Sequence, residues 1–325
     1  MRIEIWADVV CPWAYIGKRR LEKALAAPRA AGAGAEVVWR PYRIDPTAPD
    51  AAVPFEEARR DPAADAALRQ CAPGLSPDEN RARVSRAAAD EGLGPRFGAA
   101  WRAGSHDAHR LLHLALGHGG PALQNEVAEQ VMRAHFVDGD DIGDRRRLGA
   151  VAARSGFPEG AALLETGAGD HEVRELLLIG RARGIATSPT IVAGDRALAG
   201  AQPPEVIADF VAAGEPARPL PDEVRRLRWA ESLLDQRDPL GALTLLRPLL
   251  DQHAADLNVR RAAARAYYHS AQLNRARAVL ERLVDEAPDD AYARLMLGRA
   301  LQRLGREDLA APHLRTAAAM SPAFA

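Results

Sequence analysis

The chain has 325 residues, 47% of them hydrophobic and 27% charged, the balance of an ordinary globular chain of about two domains. That composition excludes disordered and collagen-like classes. With 43 basic against 44 acidic residues the formal net charge is −1, so the whole chain carries no electrostatic footprint for nucleic acid or for an anionic membrane surface.

The only cysteines, Cys11 and Cys71, are too few for a disulfide framework or a four-thiolate zinc site. Their thiols are therefore either chemistry or incidental. The first residues lack the pattern of a secretory signal, and no apolar run has the length of a membrane span. A cytoplasmic, reducing location is the expectation.

Residues 2–10 alternate apolar side chains at Ile3, Ile5 and Ala7 before Val9-Val10, which predicts a strand entering a core. Cys11 follows at once. Pro12 suits the first turn of a helix, where the missing N–H has no partner to lose, and Trp13, Ile16, Leu21 and Leu25 continue at helical spacing up to Pro28. Cys11 thus stands at a strand-to-helix junction. Residues 36–44 predict a second strand, with Pro41 confining its far half to an edge or a bulge.

From about residue 50 to 165 the pattern is helical, with helices drawn over 107–116, 123–136 and 145–155. Residues 138–144 hint at a calcium loop. Ile142 and Gly149 occupy positions where ligands are needed, so the segment reads instead as a helix break, with Asp144 capping the next helix. Strand character returns over 190–192 and 197–199 about a Gly194-Asp195 turn, and a helix follows over 204–211. The order βαβ, helical block, ββα predicts an α/β thioredoxin-like fold with a helical insertion.

Residues 214–222 contain three prolines and read as a linker. Beyond them Ala242, Ala276 and Ala310 lie 34 residues apart, as do Leu246, Leu280 and Leu314. That period is the tetratricopeptide length, and it predicts an all-α solenoid of three repeats, starting near Glu223, Leu257 and Ala291.

A thiolate is the nucleophilic form of cysteine, and a helix N-terminus offers free N–H groups and a positive dipole end that lower the thiol pKa. On this local ground Cys11 is expected to be reactive, with Trp13 as a wall of its site. Cys71 lies in an Ala/Pro-rich stretch and reads as incidental. His109 and His113 are spaced i, i+4, but no third ligand accompanies them, so no metal is expected. His109 instead belongs to a helical face turned toward the cysteine cleft.

The segment Asp8-Val9-Val10-Cys11-Pro12-Trp13-Ala14-Tyr15-Ile16-Gly17-Lys18 resembles the active-site segment of the DsbA-like thioredoxin family, FrnE subgroup. Val38-Trp39-Arg40-Pro41, Asp107-Ala108-His109-Arg110-Leu111 and Gly200-Ala201-Gln202-Pro203-Pro204 extend the resemblance over residues 1–213. It implies that Ser188-Pro189-Thr190 is a cis-proline loop facing Cys11, the Ser188 backbone and Pro189 forming the substrate platform. Pro12 and Trp13 beside the sulfur are expected at the substrate as well, and His109 is expected either to touch it or to support the thiolate. One departure matters. Position 14, the resolving cysteine of the family's dithiol members, is Ala14.

The expected protein is therefore a DsbA-like domain over 1–213, a linker over 214–222 and three repeats over 223–325. Its expected activity is thiol–disulfide oxidoreductase or isomerase chemistry by Cys11 alone, with no bound cofactor and a low-molecular-weight thiol as co-substrate. A protein or peptide would sit in the repeat groove. Two alternatives are a thiol-dependent isomerase of aromatic or polyketide metabolism and a binding module whose redox role has lapsed.

Overall fold

A computed structural model of the chain describes residues 1–27, 35–49, 51–60, 72–214 and 220–324. Two compact units emerge, Met1–Gly180 with Ile185–Pro219, and Arg181–Gly184 with Leu220–Ala325.

The first unit is built on a four-stranded sheet. Strand β1 (Arg2–Ala7) runs parallel to β2 (Glu36–Pro41) and antiparallel to β3 (Thr190–Ala193), which turns through Gly194-Asp195 into β4 (Arg196–Ala199). Gly194 has φ +61, a conformation that suits glycine at the first position of a two-residue hairpin turn. The spatial order β2-β1-β3-β4 leaves β2 at an edge, which is why Pro41 is tolerated in it. Gln124 covers that edge. Its side chain accepts from the Trp39 N–H at 2.8 Å and donates to the Trp39 carbonyl at 3.0 Å, satisfying backbone groups that would otherwise be buried unpaired.

Helix α1 (Pro12–Ala26) buries Ile16, Leu21 and Ala24, and α2 (Pro77–Asp90) starts with a complete capping box between Ser76 and Glu79. Next comes α3 (His106–Arg133), whose helical geometry breaks at Gly119 and Gly120 before Pro121. The two helices expected over 107–116 and 123–136 are thus two arms of one kinked element, and its last turn widens to a π-helix over Ala134–Asp138. Asp144 caps α4 (Arg145–Arg154) by accepting from the Arg146 N–H at 2.8 Å.

The helical block does not stop at residue 165. After α5 (Gly160–Glu165) comes α6 (Asp170–Ala182), which the sequence reading leaves unassigned although Val173, Leu176 and Leu177 have helical spacing. Helix α7 (Pro204–Ala212) closes the unit.

The second unit is three pairs of helices: α8 (Asp222–Asp235) with α9 (Pro239–Gln252), α10 (Leu257–His269) with α11 (Leu273–Glu286), and α12 (Ala291–Arg303) with α13 (Glu307–Met320). Ala242, Ala276 and Ala310 are fully buried. Gly298 shows why small residues recur: a Cβ there would come within 2.6 Å of the Leu314 side chain. The turns inside the pairs repeat as well. Arg237, Ala271 and Gly305 each take a left-handed conformation, with φ of 62, 60 and 70, at intervals of 34 residues.

Candidate active site around Cys11

Cys11 is the N-cap of α1, in extended conformation, with Pro12 in the first turn behind it. The strand-to-helix junction therefore exists where the apolar run meets the proline. The side chain is not open, however: Cys11 is 5% exposed. Its thiol donates to the backbone carbonyl of Ser188 at 3.4 Å, and its N–H donates to the Asp8 carbonyl at 3.0 Å.

The Ser188–Pro189 peptide bond is cis. Ser188 is tied to the strand side of the cysteine too, since its Oγ accepts from the Asp8 N–H at 3.0 Å. Gly17 permits the approach of α1 to this loop, because a Cβ at position 17 would lie 2.9 Å from Pro189 Cγ. Ala14 is fully buried one turn into the helix. Trp13 is half-buried, and the guanidinium of Arg83 on α2 lies over its ring at 4.9 Å from the centroid. The insertion thus reaches the residue beside the sulfur.

Burial overrides the helix start in setting the thiol's acidity. It pushes the Cys11 thiol up to about 11; Ser188 and the N–H groups of Ala14 and Trp13 pull the other way, while the Asp8 carboxylate pushes it up further. The local expectation of a lowered value is corrected here. At pH 7 a thiol of this acidity is thiolate in about one molecule in 10⁴.

Nothing in the sequence around Asp8 announces a role for it. It is fully buried. Its carboxylate accepts from the Ile44 N–H at 2.8 Å and the Val10 N–H at 3.4 Å. His109 stands 3.3 Å from Asp8 Oδ1 through Nε2, and the same nitrogen is 2.9 Å from the Tyr42 carbonyl. A carbonyl can only accept, so Nε2 carries the proton. His109, 3% exposed, is consequently a buried partner of Asp8 and not a residue on an open substrate surface.

A second histidine completes the buried layer. His135, in the π-helical turn, is 2% exposed, and its Nδ1 has no hydrogen-bond partner among the described residues. Burial lowers its pKa to about 4 against an opposing pull from Asp8, so it is neutral at pH 7. No spacing in the sequence announces it. Cys71 lies outside the described residues.

The described geometry brings together Cys11, Pro12, Trp13, Ala14, Ser188 and Pro189, with Asp8 and His109 beneath. A DsbA-like thioredoxin domain model matches residues 2–212. The chain belongs to the DsbA-like thioredoxin family. A tetratricopeptide repeat model matches residues 233–300, so the DsbA-like domain is followed by a repeat region. Among solved structures, a probable DsbA oxidoreductase from Streptomyces coelicolor is similar at 30% identity and TM-score 0.56, over 68% of this chain and 93% of its own. Two similar structures are more remote. A 2-hydroxychromene-2-carboxylate isomerase has 16% identity and TM-score 0.47, over 62% of this chain and 89% of its own. The cytosolic disulfide reductase DsbM from Pseudomonas aeruginosa, solved with GSH, has 17% identity and TM-score 0.44, over 66% and 96%. No curated protein matches.

Proposed function

We propose that this DsbA-like protein catalyses thiol–disulfide exchange through Cys11 alone, in a reducing, cytoplasmic setting and within the FrnE-like branch of its family. The observation that supports the reading is the Cys11 sulfur held 3.4 Å from the Ser188 carbonyl of the cis-proline loop, with alanine at position 14. A backbone carbonyl at that distance is an edge against which an extended substrate strand can pair beside the sulfur.

The chemistry balances with one thiol. Cys11 loses its proton to solvent, its thiolate attacks a substrate disulfide, one sulfur of the substrate leaves as thiolate, and a mixed disulfide remains. A second thiol from outside, a low-molecular-weight thiol or another cysteine of the substrate, then attacks the substrate sulfur and returns Cys11 as thiolate. Disulfide partners are exchanged with no net electron transfer by the protein and no bound cofactor. A raised thiol pKa slows both halves of the cycle, the attack because little thiolate is present and the release because Cys11 leaves poorly. The repeat region is proposed to hold a protein or peptide segment.

The lowered acidity of the Cys11 thiol also favours a second reading, a binding protein whose thiol is dormant. Disulfide interchange between a disulfide peptide and glutathione separates the two. Catalysis that is abolished by Cys11→Ser and converted to two-thiol turnover by Ala14→Cys supports exchange chemistry; no catalysis from either the natural protein or Ala14→Cys supports dormancy.

A further inference from the structure

A cleft of about 830 Å³ in the first unit is built largely by the helical insertion. Arg43 forms one wall. It belongs to the segment whose Tyr42 carbonyl meets His109 and whose Ile44 N–H is bound by Asp8. The first turns of α3, α4 and α6 form the others, through His106, Arg145, Arg146 and Asp170.

Pockets of this size are generally apolar, and this one is lined mainly by charged groups whose pairing is uneven. Both oxygens of Asp107 are taken, by Arg110 at 2.6 Å and Arg145 at 2.6 Å. Both oxygens of Asp170 are taken too, by His106 at 2.7 Å and by Arg174 at 2.8 Å. Asp144 is used as a helix cap. Glu165 is largely exposed and comes no nearer than 3.7 Å to Arg145.

Two guanidinium groups are left over. Among the described residues neither Arg43 nor Arg146 meets a carboxylate. Arg43 donates only to the Pro46 carbonyl, at 3.3 Å, and its Nε is shielded from solvent without any partner. A carboxylate is the acceptor that fits the outer fork of a guanidinium, and among the described residues neither arginine has one. A cationic ligand would find Asp107 and Asp170 already paired, with Glu165 at the exposed rim as the lining carboxylate left to it.

We propose that this cleft binds an acidic peptide segment of the disulfide substrate, its carboxylates seated on Arg43 and Arg146. The proposal rests on the thiol–disulfide reading for the identity of the substrate. The cleft is open and large enough for several peptide residues, and the 42–44 segment that carries Arg43 also packs, through the Tyr42 carbonyl and the Ile44 N–H, on the His109 and Asp8 layer beneath Cys11.

The test uses the full chain and two labelled, cysteine-free peptides, one rich in Asp and Glu, the other its Asn and Gln counterpart. Fluorescence anisotropy is expected to give about tenfold tighter binding of the acidic peptide, weakening with added salt. Arg43→Gln with Arg146→Gln is expected to remove that preference. Equal binding of the two peptides, or a preference unchanged in the double variant, overturns the proposal; the latter result would place acidic binding elsewhere, the repeat region included. The same peptides carrying a mixed disulfide then report on chemistry. The ratio of acidic to neutral reaction rates at Cys11 should fall toward one in the double variant. If acidic binding depends on the two arginines but Cys11 reacts with neither peptide, the cleft stands as an acidic-peptide site and the exchange reading falls.

Discussion

Cys11 shows how a local rule loses to a tertiary one. The proline and the helix start are written next to it, and both favour a thiolate; the loop that buries it is 177 residues away in sequence. Desolvation wins, and the thiol is pushed up to about 11. The rate of Cys11 alkylation is therefore expected to climb with pH without a plateau below pH 9. Because the Asp8 carboxylate adds to the upward push, Asp8→Asn should lower the Cys11 pKa and speed alkylation at pH 8, as read by mass spectrometry. A slower or unchanged rate would show that Asp8 does not act on the sulfur through its charge. His135 carries a second pH effect. Its pKa is about 4 in the folded protein against 6.5 ordinarily, so the unfolded chain takes up a proton first as pH falls. The stability this neutral residue contributes is complete above pH 6.5 and is lost as pH falls toward 4, roughly 2 kcal/mol of it between pH 7 and 5. Urea unfolding of His135→Leu should show a correspondingly smaller loss over that interval than the natural protein.

At the scale of elements, what the sequence announces is what repeats or alternates. The alternation of residues 3–7, the Gly194-Asp195 turn and the 34-residue spacing of Ala242, Ala276 and Ala310 each predict an element that forms. Helix α6 is legible in the helical spacing of Val173, Leu176 and Leu177, with Gly167 and Gly169, both at φ +76, separating it from the helix before it. The edge cover by Gln124 and the pairing of His109 with Asp8 were not legible, since each joins residues far apart in sequence. The repeat turns offer a direct test. Ala271 holds the left-handed conformation that Gly305 takes in the next repeat, and an L-residue is disfavoured there by about 1–2 kcal/mol. Ala271→Gly should stabilise the protein by on the order of 1 kcal/mol, after the extra freedom of glycine in the unfolded chain is deducted. Gly298→Val should act in the opposite sense, costing about 1–3 kcal/mol because the helix pair has no room for it. Chemical denaturation of the two variants measures both.

Across the whole molecule, averages conceal the informative features. A net charge of −1 gives the chain as a whole no electrostatic footprint for nucleic acid, yet it says nothing of a cleft in which Asp107 and Asp170 are fully paired while Arg43 and Arg146 meet no carboxylate among the described residues. A count of two cysteines likewise excludes a disulfide scaffold and points to the one thiol at a strand-to-helix junction. The groups placed around that thiol, Asp8, Trp13, Arg83, His109 and Ser188, all belong to the first unit. The chemistry proposed for Cys11 is thus a property of the DsbA-like domain. The measurement that tests it most directly is intact-mass analysis of the full chain after incubation with glutathione disulfide at pH 8.5, with peptide mapping to locate the adduct. The account predicts a single glutathione adduct on Cys11, formed faster as pH rises and reversed by excess free thiol. An unmodified Cys11 under these conditions, or an adduct confined to Cys71, would contradict it.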